Sequence, residues 1–334
     1  MRPHFLIAIT VVLWMGFAAC MPGDSGEPTR RTQFIMGTLV EITVSHSDPQ
    51  VILAVTTQAF DEMKRLEQLM STYLPDSEIS QINRAAGKEA VPVSLEVEEV
   101  IREGIFWSRQ SGGAFDITVE PLVQLWDFDS ENEVIPGRAT LRKTASLVNY
   151  KDIEIFDHKV RLARPGMAIN VNGLAKGYAV DRAVSILRSR VPNGIVNAGG
   201  DLFAFGQKSK ESPWTIGLQH PRKPQDLLAS FAVKNQAVAT SGDYQRYFVK
   251  DGVRYHHIFD PATGMPARKM ISTTLITTEV MEADAMATAV FVMGPEAGLA
   301  WVDSLDNVEA MVMLEDGSIR YSKHFRKQPQ FTLK

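Results

Sequence analysis

The chain has 334 residues, with 35 Lys+Arg against 39 Asp+Glu and a net charge of −4. Hydrophobic residues at 45% and charged residues at 22% describe an ordinary globular chain, and the mild acidity excludes the basic footprint of a general nucleic-acid binder. One cysteine, Cys20, excludes intramolecular disulfides, CxxC zinc sites and Fe–S clusters held by this chain alone.

From the N-terminus, Arg2 supplies a short positive region. Phe5 to Met15 then form an apolar run too short to span a bilayer and suited to a secretory leader. Phe17-Ala18-Ala19-Cys20 resembles a bacterial lipobox, in which Cys20 is lipidated and becomes the mature N-terminus. An ordinary signal peptide cut nearby, with Cys20 incidental, is the alternative. The expected organisation is a leader over 1–19, a lipidated cysteine and polar tether over 20–31, and a folded domain over 32–334. Lipidation would hold that domain at the periplasmic side of a bacterial membrane.

Phe34 to Val44 is rich in β-branched residues and reads as one strand. Ile52, Val55, Ala59, Met63, Leu66 and Met70 recur at helical spacing, predicting a helix that stops near Ser71 and Pro75. A second helix starts after Ser94, a plausible N-cap, and runs to Gly112-Gly113. Short strands are expected at Ile153–Phe156, Val160–Ala163 and Met167–Val171, then a helix from Leu174 to about Arg188. Further strands follow at Ile195–Asn197, Leu202–Phe205, Trp214–Leu218, Ala229–Val238, Tyr247–Val249 and Ile271–Thr277. A helix covers Met281–Met293, Gly294-Pro295 restarts another, and Val308–Leu314 with Ser318–Tyr321 forms a hairpin around Asp316-Gly317. Mixed order without regular βαβ alternation argues for an α+β fold.

No GxGxxG, GxxxxGK[ST] or HExxH run is present, so a nucleotide enzyme here needs another architecture. In a helix over Met281–Thr288, Asp284 and Thr288 share a face beside small alanines. They read either as part of an oxygen cage for a hard cation such as Mg²⁺, or as a dipole-favoured acid and a buried threonine. Asn170-Val171-Asn172-Gly173-Leu174-Ala175-Lys176 turns a strand into a helix, offering free N–H groups to an anion; a plain connection with a solvated lysine is the other reading. His256-His257 precedes the turn Asp260-Pro261-Ala262-Thr263-Gly264. Neighbouring strand residues face opposite sides, so at most one histidine points into a given site, as general base or as a structural group. Ser111-Gly112-Gly113-Ala114-Phe115-Asp116 reads as backbone close to a flat ring or as a helix C-cap, Asn197-Ala198-Gly199-Gly200-Asp201 as a phosphate cradle or a tight hairpin, and Thr240-Ser241-Gly242-Asp243-Tyr244 as an anion holder or a polar turn.

Eight runs in order resemble the ApbE family, flavin transferases that use FAD to flavinylate other proteins. They are Met36-Gly37-Thr38, Met70-Ser71-Thr72-Tyr73, Gly113-Ala114-Phe115-Asp116, Asn172 to Asp181, Asn197 to Asp201, Thr240-Ser241-Gly242, His257 to Gly264, and Ala283 to Thr288. The resemblance implies mixed sheets and helices in two closely packed lobes with the FAD and Mg²⁺ site between them. It implies cleavage of the FAD pyrophosphate and transfer of FMN to a Thr or Ser hydroxyl, releasing AMP. Acceptors are redox-complex subunits with an Asp-x-x-(Ser/Thr)-Gly-Ala-Thr type motif, which this chain lacks.

By the same resemblance, Asp284 and Thr288 hold Mg²⁺ by side chain and Gly173 by its carbonyl. Met36, Tyr73 and Ala114-Phe115-Asp116 line the flavin or adenosine pocket, and Lys176 meets the polar part of FAD. His257 touches the cofactor and activates the incoming hydroxyl, with Asp260 either orienting it or serving only its own turn. Asn170 stands where the family often has Asp, keeping hydrogen-bonding capacity and losing a charge. Two other readings use the same residues: an Mg²⁺-dependent FAD pyrophosphatase, with water replacing the protein hydroxyl, and a non-catalytic periplasmic FAD-binding lipoprotein.

Overall fold

The computed structural model describes residues 27–128, 133–209 and 212–334; the expected leader and Cys20 lie outside them. Its centre is an eight-stranded antiparallel sheet in the order Thr29–Ile35, Thr38–Ser45, Asn193–Ala198, Asp201–Phe205, Gln236–Gly242, Met270–Thr277, Glu309–Leu314, Ile319–Tyr321. Alternation along these strands gives the sheet two apolar faces. Phe203, Phe205, Ala237 and Ala239 pack towards the helices Pro49–Met70, Asn172–Arg188 and Val280–Met293. Leu202, Ala204 and Val238 face the other way, onto Trp214, Ile216 and Phe231 of a three-stranded sheet. A one-residue slip in any central strand would exchange the two cores, so the register is strongly specified. A third, aromatic cluster forms around Trp126, whose indole N–H donates to the Gly264 carbonyl at 2.8 Å. This α+β arrangement matches the expected class. No helix of the described residues is long and apolar enough to cross a membrane.

Several elements differ from expectation for local reasons. The strand expected over Phe34–Val44 is a hairpin: Ile35 pairs with Thr38, and Met36 (φ 54°) and Gly37 (φ 71°) form its two-residue loop. Positive φ at both loop residues matches the twist of paired strands. Ala229–Val238 is likewise two strands in different sheets, Lys223–Val233 and Gln236–Gly242, parted where Asn235 takes φ 52°. Met167–Val171 joins no sheet. The Asn83 side chain bonds both N–H and C=O of Ile169, at 2.7 and 2.9 Å, so a side chain replaces the partner strand. The short helices Glu78–Arg84, Glu120–Trp126 and Arg138–Ala145 carry too few turns to show a period.

One close approach sets the site. Gly177 lies where the Asn172–Arg188 and Val280–Met293 helices meet backbone to backbone; a Cβ there would sit 2.5 Å from Met281 Cα. One turn further, Asp181 accepts from the N–H groups of Val280 (3.0 Å) and Met281 (2.9 Å), capping the second helix from the first. Burial pushes the Asp181 carboxyl up to about 7, against these two bonds.

Candidate active site

A cavity of about 950 Å³ opens between the main core and the aromatic cluster. Met36 lines it from the hairpin loop and Tyr73 from the turn just after the first long helix. Ala114, Phe115, Asp116 and Asn170 line it from loops, Gly173 and Lys176 from the Asn172–Arg188 helix. His257 follows the Val253–His256 strand, and Asp284 and Thr288 face in from the Val280–Met293 helix. All the expected cavity residues thus share one site.

Its floor is where the two helices touch. Asp284 is 6% exposed, and its Oδ2 has no hydrogen-bond partner among the described residues. Lys176 Nζ lies 3.6 Å from that oxygen, too far for a hydrogen bond, and pairs directly with buried Asp201. Burial raises the Asp284 carboxyl above its ordinary range, and the nearby ammonium opposes the shift. Thr288 Oγ1 stands 3.1 Å from Ser241 Oγ. A Cβ on Gly173 would meet Phe115 Cε2 at 3.1 Å and Thr288 Oγ1 at 4.0 Å, so backbone lies close to this hydroxyl. No group of three or more His, Cys, Asp or Glu side chains placed to hold a metal occurs among the described residues. An orphaned buried carboxylate oxygen beside hydroxyls and backbone fits a hard, oxygen-seeking cation that keeps ligands from water and substrate.

The two histidines separate as strand geometry requires. His256 is buried against Phe291, its Nε2–H donating to the Ala267 carbonyl at 2.8 Å. His257, half-buried, lines the cavity. Its Nδ1 is 3.3 Å from the Arg246 carbonyl, which can only accept, so Nδ1 bears the proton and Nε2 is the basic nitrogen. Removal from water and the neighbouring His256 push the imidazole down to about 4, so it is neutral at pH 7. Asp260 does not orient it: its carboxylate accepts from Ala262 N–H (2.9 Å) and Thr263 Oγ1 (3.1 Å), within its own turn.

Asp116 and Asn170 shape the wall. Asp116 accepts from Thr118 N–H (2.8 Å), Thr118 Oγ1 (2.6 Å) and Tyr150 N–H (3.0 Å), and burial still raises its carboxyl. Asn170 Oδ1 accepts from Asn172 N–H at 2.8 Å, while its Nδ2 donates to buried Glu120 at 2.6 Å. An aspartate at 170 would face Glu120 with acceptors alone.

Lining residues that the sequence reading did not single out include Phe34, Glu67 and Arg246. Phe34 (74% exposed) stands with Tyr73 (64%) among the cavity residues, offering aromatic surface to a flat ring. Arg246 Nη1 donates to the Tyr73 hydroxyl at 3.0 Å, and Glu67 accepts from Met36 N–H at 2.8 Å, fixing the hairpin loop. Asn172 lines the wall beside Gly173. Glu67 left one signal, an acid on the inward half of an amphipathic helix between Met63 and Met70. Arg246 and Phe34 left none.

A family model described as the ApbE family matches residues 36–312. An FAD:protein FMN transferase of Klebsiella pneumoniae (strain 342) is 33% identical over 272 residues, covering 80% of this chain and 84% of that relative. A protein of the same name from Treponema pallidum (strain Nichols) is 28% identical over 96% of this chain and 93% of its own length. Among solved structures, the ApbE protein of Thermotoga maritima aligns with a TM-score of 0.84 at 36% identity, over 91% of this chain and 100% of that one. The Vibrio cholerae flavin transferase ApbE aligns at 0.81 and 29% identity, over 90% and 99%. The chain belongs to the ApbE family.

Proposed function

We propose that this protein is an Mg²⁺-dependent FAD:protein FMN transferase. It splits the FAD pyrophosphate and joins FMN, through its phosphate, to a Thr or Ser hydroxyl of an acceptor, releasing AMP. The observation that carries this reading is the Asp284 oxygen left without a hydrogen bond, sharing one cavity with Thr288 and His257. A plain FAD store would need neither.

The acceptor oxygen forms a bond to the FMN phosphorus while the bond from that phosphorus to the AMP-side bridging oxygen breaks. His257 Nε2, left to accept because Nδ1 faces the Arg246 carbonyl, takes the hydroxyl proton. Asp284 and Thr288, with the Gly173 carbonyl, would hold Mg²⁺, which supplies Lewis-acid charge neutralisation on the pyrophosphate when bound. Lys176 adds a fixed positive charge beside the same phosphates. Phe34, Met36, Tyr73 and Phe115 pack on the rings of FAD and keep water from the reacting phosphorus.

Acceptors are proteins that present a hydroxyl in an exposed segment of the Asp-x-x-(Ser/Thr)-Gly-Ala-Thr type. The apolar run Phe5–Met15 and the lipobox-like Phe17-Ala18-Ala19-Cys20 support a lipoprotein held at the periplasmic side of a membrane. Chromatography of FAD incubated with acceptor tests the chemistry. AMP should form with Mg²⁺ and stop with chelator or with Asp284→Ala; undiminished AMP from that variant would remove Asp284 from the cation site.

A further inference from the structure

Two buried carboxylates share one ammonium at the cavity floor. Asp201 and Asp284 are 3% and 6% exposed, and Lys176 stands between them. Its Nζ pairs directly with Asp201 and stays 3.6 Å from Asp284 Oδ2, which is left without a hydrogen bond among the described residues. The three groups come from three elements. Lys176 is in the first turns of the Asn172–Arg188 helix, and Asp284 is on the Val280–Met293 helix. Asp201 opens the Asp201–Phe205 strand, just after the Gly199-Gly200 turn, where φ is 65° and 109°. Paired in register with Ala198, Asp201 is fixed by the sheet while Lys176 rides on a flexible four-carbon stem.

We propose that Asp201 is a positioning residue: by engaging Lys176 it keeps the ammonium off Asp284 and leaves that carboxylate open to a divalent cation. This rests on the reading of Asp284 and Thr288 as the cation site. An ammonium and a metal ion compete for one oxygen, and in a poorly solvated pocket the attraction of a carboxylate without a hydrogen bond for a nearby lysine is strong. Without Asp201, Lys176 closes the remaining distance to Asp284, and an incoming cation must displace it. With Asp201 in place, the lysine is also held at the cavity wall, 30% exposed, where a phosphate can reach it. A merely structural Lys176–Asp201 pair would contribute to stability and leave cation affinity unmoved.

The test titrates Mg²⁺ alone, without FAD, into the full chain by isothermal calorimetry, with circular dichroism reporting the fold. Asp201→Asn should weaken Mg²⁺ binding by about tenfold or more. Adding Lys176→Met to that variant should restore affinity to near that of the parent, because no ammonium remains to occupy Asp284. Parent-like binding by Asp201→Asn, or a double variant as weak as the single one, overturns the proposal. Should Asp201→Asn not fold, Lys176→Met alone decides: equal or tighter Mg²⁺ binding supports the proposal and weaker binding overturns it. A parent chain that takes up no Mg²⁺ overturns the cation-site reading itself and this proposal with it.

Discussion

Replacing Gly177 with alanine puts a methyl group where two helices touch through their backbones. The new Cβ would lie 2.5 Å from Met281 Cα and 2.6 Å from Met281 N and Val280 C. Ordinary carbon contacts need about 3.5–4.0 Å, so the helices must part by about 1 Å. Overpacking of this kind costs about 1–3 kcal/mol. Alanine's advantage over glycine inside a helix returns about 1 kcal/mol. The net loss of stability is therefore small, about 0–2 kcal/mol in a urea titration. Activity is the sharper readout, because Gly173 lies one turn before Gly177, and Met281 just before Asp284. Parting the helices moves the carboxylate and the Gly173 backbone relative to each other. A displacement of about 1 Å at a reacting centre can cost about 100-fold. AMP release at saturating Mg²⁺ should fall by that order, while Gly137→Ala, with φ −66° and open space around its Cβ, should match the parent in both assays. Parent-like turnover by Gly177→Ala would refute the claim that this helix contact sets the site.

Two more predictions concern charge in the interior. His256 is buried and its imidazole is pushed down to about 4 by loss of water. The unfolded chain then binds more protons than the native one between pH 6.5 and 4, so stability falls as pH drops through that window. His256→Gln should remove a loss of about 2 kcal/mol between these values, read from urea titrations at pH 7 and pH 4.5; an unchanged slope would contradict the burial argument. Asn170→Asp turns the 2.6 Å amide–carboxylate bond to Glu120 into a carboxylate pair. Stability should drop by about 1–3 kcal/mol, more as pH rises because the pair shares a proton at low pH. Adding Glu120→Gln should recover most of it, and simple additivity of the two losses would show that the residues do not interact.

The long helices and most strands were legible because period and β-branched content survive any tertiary context. The helix predicted from Ile52 to Met70 is there, as are Gly294-Pro295 and the hairpin at Asp316-Gly317. Legibility failed where a residue's conformation is imposed from afar. Met36 is no turn former, yet Glu67 on a distant helix holds its N–H. The Val280–Met293 helix has no local side-chain cap, because Asp181 supplies one across the helix pair. The cavity residues could be named from motif order, but their division of labour could not. Lys176 faces two carboxylates, Asp116 ties its loop to Tyr150, Asp260 is bound into its own turn, and Arg246 orients His257 through its carbonyl. Such roles depend on pairs far apart in the chain, which a single sequence does not display.

The most direct measurement is the intact mass of an acceptor domain bearing the threonine motif, incubated with this enzyme, FAD and Mg²⁺, with and without chelator. Addition of one phosphate-linked FMN that disappears with chelator is the predicted result. An acceptor of unchanged mass, with FAD split to FMN and AMP or retained whole, would contradict the assignment as a flavin transferase.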